Sequence, residues 1–177
     1  MFQQRVRLVV TTVALAVITS LVFAPTARAA DDMHSMSGMC ADCAADHASL
    51  AAAQNFIATF GTGDMDKLFT LVADDIHWEF WGSPDRIALH GPRDGKAALK
   101  EWFAAANATF KDEDFGVDEW YADHDTVVLV GHEKGTAIKT GKPVSERWIG
   151  IMKFRDGKLA SFRGLDDSAQ ELWATTP

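Results

Sequence analysis

The chain has 177 residues, a formal net charge of −8 at pH 7 and a sequence pI near 5.1. This length suits one domain that buries about two-thirds of its unfolded surface, and it argues against a second large domain. An acidic chain without a basic stripe also argues against nucleic acid and anionic membranes as partners, because both reward clustered positive charge.

Residues 1–29 have the pattern of a cleavable secretory signal peptide. Two arginines precede an apolar run from Leu8 to Ala24, and the small-residue pattern Ala27-Arg28-Ala29 follows. The run is near the lower length limit for crossing a bilayer, so an uncleaved membrane anchor is the alternative. Cleavage would remove three arginines and no acid from the net charge of −8, leaving −11. The signal-peptide pattern therefore predicts a periplasmic or secreted protein that does not contact the membrane after cleavage.

Residues 30–47 show no period that would bury one face, and we predict a flexible tail there. The segment is rich in sulfur and imidazole donors, which suit copper(I) or zinc. The candidate metal ligands are Met33, His34, Met36, Met39, Cys40, Cys43 and His47. The alternative is a short-loop disulfide between Cys40 and Cys43. No other cysteine is present, so the domain at 48–177 has no disulfide framework.

Three helices and a strand are predicted in the first half of this domain. Apolar residues at helical spacing indicate a helix capped by Asp46 and ending near Phe60, a short helix after Asp64, and a third helix over residues 96–110. The strict alternation in DIHWEFW, residues 75–81, predicts the first strand.

From Phe115 onward the pattern predicts antiparallel strands at about 115–122, 126–139, 144–155 and 158–166. The sequence Asp156-Gly157 is a strong signal for a two-residue hairpin turn. A short helix near 168–174 follows, with Asp167 as its N-cap. Helices first and strands later predict an α+β fold, a cone-shaped curved antiparallel sheet wrapped over three N-terminal helices.

Three segments of the domain resemble a known family. They are LVADDIHWEFWG after two helices, HGPRDGKAALKEWF at the entry to the third helix, and WIGIMKFRDGKLASFRGLDD at the closing hairpin. In order and spacing they are similar to the SnoaL-like, ketosteroid isomerase-related proteins of the nuclear transport factor 2-like superfamily, from Leu50 to Trp173. The resemblance implies a cone with a deep apolar pocket, commonly a homodimer through its sheet.

The resemblance also marks places where this sequence lacks a family carboxylate. The catalytic aspartate of epoxide hydrolases and polyketide cyclases with this fold aligns with Gly164, and the proton-abstracting aspartate of ketosteroid isomerases aligns near Phe80. The isomerases use a tyrosine from the first helix, whereas the only tyrosine here is Tyr121, on a strand. Neither arrangement is therefore carried over intact.

Strand register gives the candidate catalytic residues. With Asp156-Gly157 as the turn, Ile149 faces Gly164 and Arg147 faces Asp166. A turn at Gly141-Lys142 then places His132 opposite Ile151, on the same side of the sheet. An arginine beside an aspartate and a histidine suits acid–base chemistry in an apolar pocket. The alternative is a cross-strand ion pair with a structural histidine. A single bulge in either strand would exchange the two faces.

The candidate pocket residues are apolar, and most are aromatic, which would favour an apolar or aromatic ligand. They are Phe56, Phe60, Trp78, Trp148, Ile149 and Phe162. The alternative for the tryptophans is ordinary core packing.

Three functions follow from these observations. The first is a secreted domain that binds a small apolar organic molecule, with catalysis left open. The second is a cofactor-independent lyase, isomerase or hydrolase that uses Arg147, Asp166 and His132. The third is a copper- or zinc-binding protein that acts through its N-terminal tail.

Overall fold

A computed structural model describes the backbone of residues 29–177 and the side chains of residues 43–177. Apart from Ala29, the predicted signal peptide lies outside the described residues. No helix among them is long and apolar enough to cross a membrane. The elements are α1 (Ala29–Thr62), α2 (Met65–Thr70), β1 (Val72–Phe80), β2 (Gly91–Asp94), α3 (Gly95–Thr109), β3 (Phe110–Asp123), β4 (Thr126–Ala137), β5 (Pro143–Arg155), β6 (Lys158–Leu165) and α4 (Ser168–Thr175).

The six strands form one sheet in the order β2-β1-β6-β5-β4-β3. All neighbouring strands are antiparallel except β1 and β6, which run parallel. The predicted α+β fold, with a curved sheet and helices before most of its strands, is confirmed. The sequence prediction missed β2, because a four-residue strand containing Gly91 and Pro92 carries no alternating pattern.

Helix α1 begins well before the predicted cap. In place of the predicted flexible tail, the backbone of residues 30–47 is helical. The segment contains no proline and several alanines and methionines, which have high helix propensity, so it can be helical without an amphipathic face. Asp46 lies inside the helix, and its Oδ1 atom accepts a hydrogen bond from the backbone N–H of His124 instead of capping.

The inner face of the sheet packs against α1, α2 and α3 around one hydrophobic core. Its largest fully buried apolar side chains are Leu68, Ile76, Leu99, Leu129, Met152 and Leu159. Burying each contributes about 1.5–3 kcal/mol. These helices therefore cover one face of the sheet.

The hairpin of β5 and β6 departs from the predicted register. It starts as expected, with Arg155 opposite Lys158, but the pairing shifts by one residue at Ala160, which has no partner. From there Gly150 rather than Ile149 lies opposite Gly164. This irregularity flips the alternation of β6 relative to β5.

The hairpin of β4 and β5 also differs from the prediction. Residues 138–142 connect the strands, a longer loop than the two-residue turn, so His132 lies directly opposite Arg147 and not opposite Ile151. Trp148 on the same strand points to the core and is 7% exposed, whereas the next residue, Ile149, is 41% exposed. The side of the sheet with Arg147 and Ile149 is thus its outer face.

Candidate functional site

The core contains a cavity of about 140 Å³ between the inner face of the sheet and helices α1 and α3. Ten of the residues in its wall are aromatic. Five of the six predicted pocket residues line it, namely Phe56, Phe60, Trp78, Trp148 and Phe162. The sixth, Ile149, does not, because it lies on the outer face of β5.

Stacked rings fix the shape of the apolar wall. Trp78 stacks on Phe162 with ring centroids 4.0 Å apart, and Phe80 stacks on Trp102 at 5.3 Å. Phe80 also pairs with Gly164 on the neighbouring strand, where an added Cβ would lie 2.5 Å from the Phe80 ring. Gly164, which the family resemblance aligns with a catalytic aspartate, therefore faces an aromatic ring, and a side chain at this position would have to displace that ring.

The structure does not bring the three predicted catalytic residues together. Arg147 and His132 lie on the outer face, where both contact Asp118: Arg147 Nη2 at 3.3 Å and His132 Nδ1 at 2.8 Å. Asp166 lies in the cavity wall. The predicted pairing of Arg147 with Asp166 is wrong, because the shift at Ala160 places Asp166, the residue after β6, on the inner face.

Asp166 instead contacts a buried histidine. His90, in the loop before β2, is 1% exposed, and its Nε2 atom lies 3.3 Å from Asp166 Oδ2 and 3.0 Å from Glu171 Oε2. Its Nδ1 atom has no hydrogen-bond partner, so the tautomer protonated at Nε2, which donates to the two carboxyl groups, accounts for the contacts. Gly82 gives the ring room, since a Cβ there would lie 1.9 Å from Nδ1.

The polar part of the cavity wall consists of five acids and one asparagine. Its residues are Asn107, Asp112, Glu133, Glu146, Asp166 and Glu171. Burial, followed by the charge of Asp166, raises the pKa of Glu171 and of Glu146 to about 8. Burial and the neighbouring Asp112 likewise raise the pKa of Glu133. Clustered acids with raised pKa values in a cavity are typical of functional sites.

Sequence reasoning missed His90 and Glu171. His90 lies in a turn-rich loop between β1 and β2. A loop has no periodic pattern of apolar residues from which its buried positions could be predicted. Glu171 is 4% exposed although glutamate is an ionisable residue, and it shares the inner face of α4 with Ala174, one turn on. The position of Glu171 on the apolar side of the short helix α4 is the only feature of the sequence that indicates its burial.

The predicted metal ligands all lie in α1. Cys43 and His47, whose side chains are described, are exposed and one helical turn apart. The side chains of the other five lie outside the described residues, so metal binding there stays a prediction. Within the described residues, donor atoms of His90, Asp166 and Glu171 lie within 4.8 Å of one another, a spacing that suits a divalent cation.

The fold and the inner cavity define an α+β cone of the nuclear transport factor 2-like class. Residues 53–162 match the SnoaL-like domain, so the chain belongs to the SnoaL-like family. No curated protein matches the chain.

Solved structures share the fold. An NTF2-like protein from Burkholderia xenovorans is 25% identical, with a TM-score of 0.67 over 74% of this chain and 98% of its own. A putative isomerase from Rhodopseudomonas palustris is 22% identical, with a TM-score of 0.60 over 70% and 93%. TerC, co-crystallised with polyporic acid, is 19% identical, with a TM-score of 0.65 over 72% and 98%.

Proposed function

We propose that this protein binds a small organic molecule, mostly apolar and containing a ring, in the cavity between the sheet and helices α1 and α3. The aromatic wall of this cavity carries the proposal, because flat rings pack well against stacked and tilted rings. Its volume of about 140 Å³ is close to that of an apolar cavity known to hold benzene, roughly 150 Å³. The co-crystal of TerC with polyporic acid supports ligand binding within this fold.

Filling the cavity from α3 tests this proposal. Ala106 lines the cavity, whereas Ala104 on the same helix is exposed. We expect Ala106→Phe to abolish the heat of binding of benzyl alcohol in a calorimetric titration, because the new ring occupies the ligand volume. The matched variant Ala104→Phe should bind as the wild type does. Equal binding by both variants, with circular dichroism showing that both are folded, would place the ligand elsewhere.

A second candidate function is cofactor-independent proton transfer on the bound molecule. Asp166 and Glu171 both line the cavity and both contact His90 Nε2. A neutral Glu171, whose pKa is raised by burial, can donate to a carbonyl oxygen while the Asp166 carboxylate removes a proton from the adjacent carbon. The product is an enol, and returning the proton to a different carbon would isomerise the ligand.

Hydrogen exchange from a cyclic ketone tests this second function without knowledge of the substrate. The probe is cyclohex-2-enone in D₂O, followed by proton NMR. We expect the protein to accelerate the loss of the acidic C–H signals. The exchange rate with Asp166→Asn should be at least about 100-fold lower than with the wild type. Arg147→Ala should leave the rate unchanged, since Arg147 lies on the outer face. Exchange unaffected by Asp166→Asn would exclude Asp166 as the base.

A further inference from the structure

The ionisable side chains in the cavity wall are all acids. Among the described lining residues five are acids and none is lysine or arginine. The acids come from five places in the fold: Asp112 on β3, Glu133 on β4, Glu146 on β5, Asp166 after β6, and Glu171 on α4. His90 Nε2 is the only imidazole atom that contacts this group in the described residues. The cavity therefore has no cation with which to bind a carboxylate or phosphate ligand.

One of these acids has an unsatisfied oxygen. The Oε2 atom of Glu146 is buried and has no hydrogen-bond partner. Leaving a buried carboxyl oxygen without a donor costs free energy, and native structures rarely do so. A ligand that donates hydrogen bonds at this end of the cavity would satisfy it.

The aromatic wall of the cavity also favours a positively charged ligand. Trp78, Trp102 and Trp148 line the cavity together with several phenylalanines. The faces of these rings carry partial negative charge and attract organic cations, more strongly when water is excluded. A bare metal ion would use the carboxylates but leave the aromatic wall without a role.

We propose that the ligand is an amine, with its ammonium group among Glu146, Asp166 and Glu171 and its ring or apolar body against the tryptophans. This inference rests on the proposed ligand-binding function and adds the charge of the ligand. An ammonium group has three N–H donors and no acceptor, which matches a site that offers carboxyl oxygens. Charge-assisted hydrogen bonds are also roughly twice as strong as neutral ones.

Three probes with the same ring and different polar groups test the inference at pH 8.5, above the raised pKa values of about 8 for Glu146 and Glu171: benzylamine, benzyl alcohol and benzoate. We expect isothermal titration to give a Kd for benzylamine at least about tenfold lower than for benzyl alcohol, and no binding of benzoate. Glu146→Gln should raise the Kd of benzylamine by about tenfold and leave that of benzyl alcohol within about threefold. Glu101→Gln, on the exposed side of α3, is the matched control and should change neither value.

The outcomes separate this inference from the proposed function. If benzyl alcohol binds and benzylamine binds no more tightly, the cavity takes neutral rings and the inference is wrong. If none of the three probes binds, the proposed function fails with it. A parallel titration with zinc chloride tests whether the cavity binds a metal ion instead. If zinc binds and Glu171→Gln abolishes its binding, while benzylamine binds no more tightly than benzyl alcohol, the ligand is a metal ion and the amine inference is wrong. The comparison of probes on the wild type stands even if a variant does not fold.

Discussion

At Gly164 the inner face of β6 has no side chain, and the Phe80 ring occupies the space beside it. The ring then stacks on Trp102 and closes one side of the cavity. The family resemblance aligns Gly164 with a catalytic aspartate, and in this structure an aromatic wall lies at that position. The acid that reaches the cavity comes from Asp166, two residues further along the chain.

We expect Gly164→Ala to lower the free energy of unfolding by about 1–3 kcal/mol, because the added Cβ would lie 2.5–2.9 Å from three atoms of the Phe80 ring and force it out of its stack. Urea denaturation measures this change. Gly61→Ala is the control: nothing lies within 4 Å of a Cβ at this position in α1, so it should not destabilise the protein. An equal loss of stability in both variants would mean that contact with Phe80 is not the cause.

The sequence predicted single residues well where a local rule governs them and poorly where tertiary contacts do. Trp78 and Phe162 reach the cavity as expected, since alternating aromatic residues on strands are natural core positions. His90 was not predicted, because its burial depends on space left by Gly82 and on carboxyl groups more than 70 residues away in the chain. No local pattern encodes such contacts.

Among the elements, the short helix α4 closes the acidic end of the cavity. Its predicted N-cap is confirmed: Asp167 Oδ1 accepts hydrogen bonds from the backbone N–H groups of Ala169 and Gln170, each at 3.2 Å. The cap fixes the start of the helix, and Glu171 then points inward, one turn later. Positioning of a cavity acid therefore depends on a capping residue that does not line the cavity.

Removing this cap tests the dependence. We expect Asp167→Ala to cost about 1 kcal/mol of stability, because two helix N–H groups lose their acceptor. Asp167→Asn should be nearly neutral, since asparagine caps as well as aspartate does. Thermal unfolding of the two variants measures the difference, and equal melting temperatures for Asp167→Ala and the wild type would contradict the role of the cap.

Strand boundaries were predictable at the level of elements, but strand register was not. Alternation and the Asp156-Gly157 turn locate β5 and β6, and the hairpin begins in the predicted register. The unpaired residue Ala160 then moves Arg147 and Asp166 to opposite faces. Such irregularities depend on how the curved sheet packs over the helices, which a single sequence does not report.

For the molecule as a whole, the buried acids couple stability to pH. The pKa values of Glu146 and Glu171 rise from an ordinary value of 4.5 to about 8 on folding. Between these values the folded chain holds more protons than the unfolded chain. The free energy of unfolding should therefore fall as the pH rises through this window, by up to about 1.4 kcal/mol per pH unit for each group.

Urea denaturation at pH 5.5 and pH 8.5 measures this effect. We expect the wild type to be less stable at pH 8.5, and Glu171→Gln to reduce the difference, because glutamine resembles the protonated acid and cannot ionise. Glu101→Gln on the surface of α3 should retain the full difference. A wild type that is more stable at pH 8.5 would show that the buried acids are ionised without penalty.

The outer face of the sheet remains without an assigned role. It carries exposed apolar side chains, among them Tyr121, Ile149 and Leu165, beside the contacts of Arg147 and His132 with Asp118. The predicted homodimer would use this face and stays a prediction. The cavity, in contrast, lies on the inner face of the sheet.

The central claim, that a ring-shaped ligand occupies this cavity, is tested most directly by NMR of the tryptophan indole N–H groups during titration with benzyl alcohol. Trp78, Trp102 and Trp148 line the cavity, whereas Trp81 and Trp173 are 44% and 53% exposed. We expect the signals of the first three to shift in a saturable way while those of Trp81 and Trp173 stay in place. Shifts confined to Trp81 and Trp173, or no shift at all, would contradict the claim.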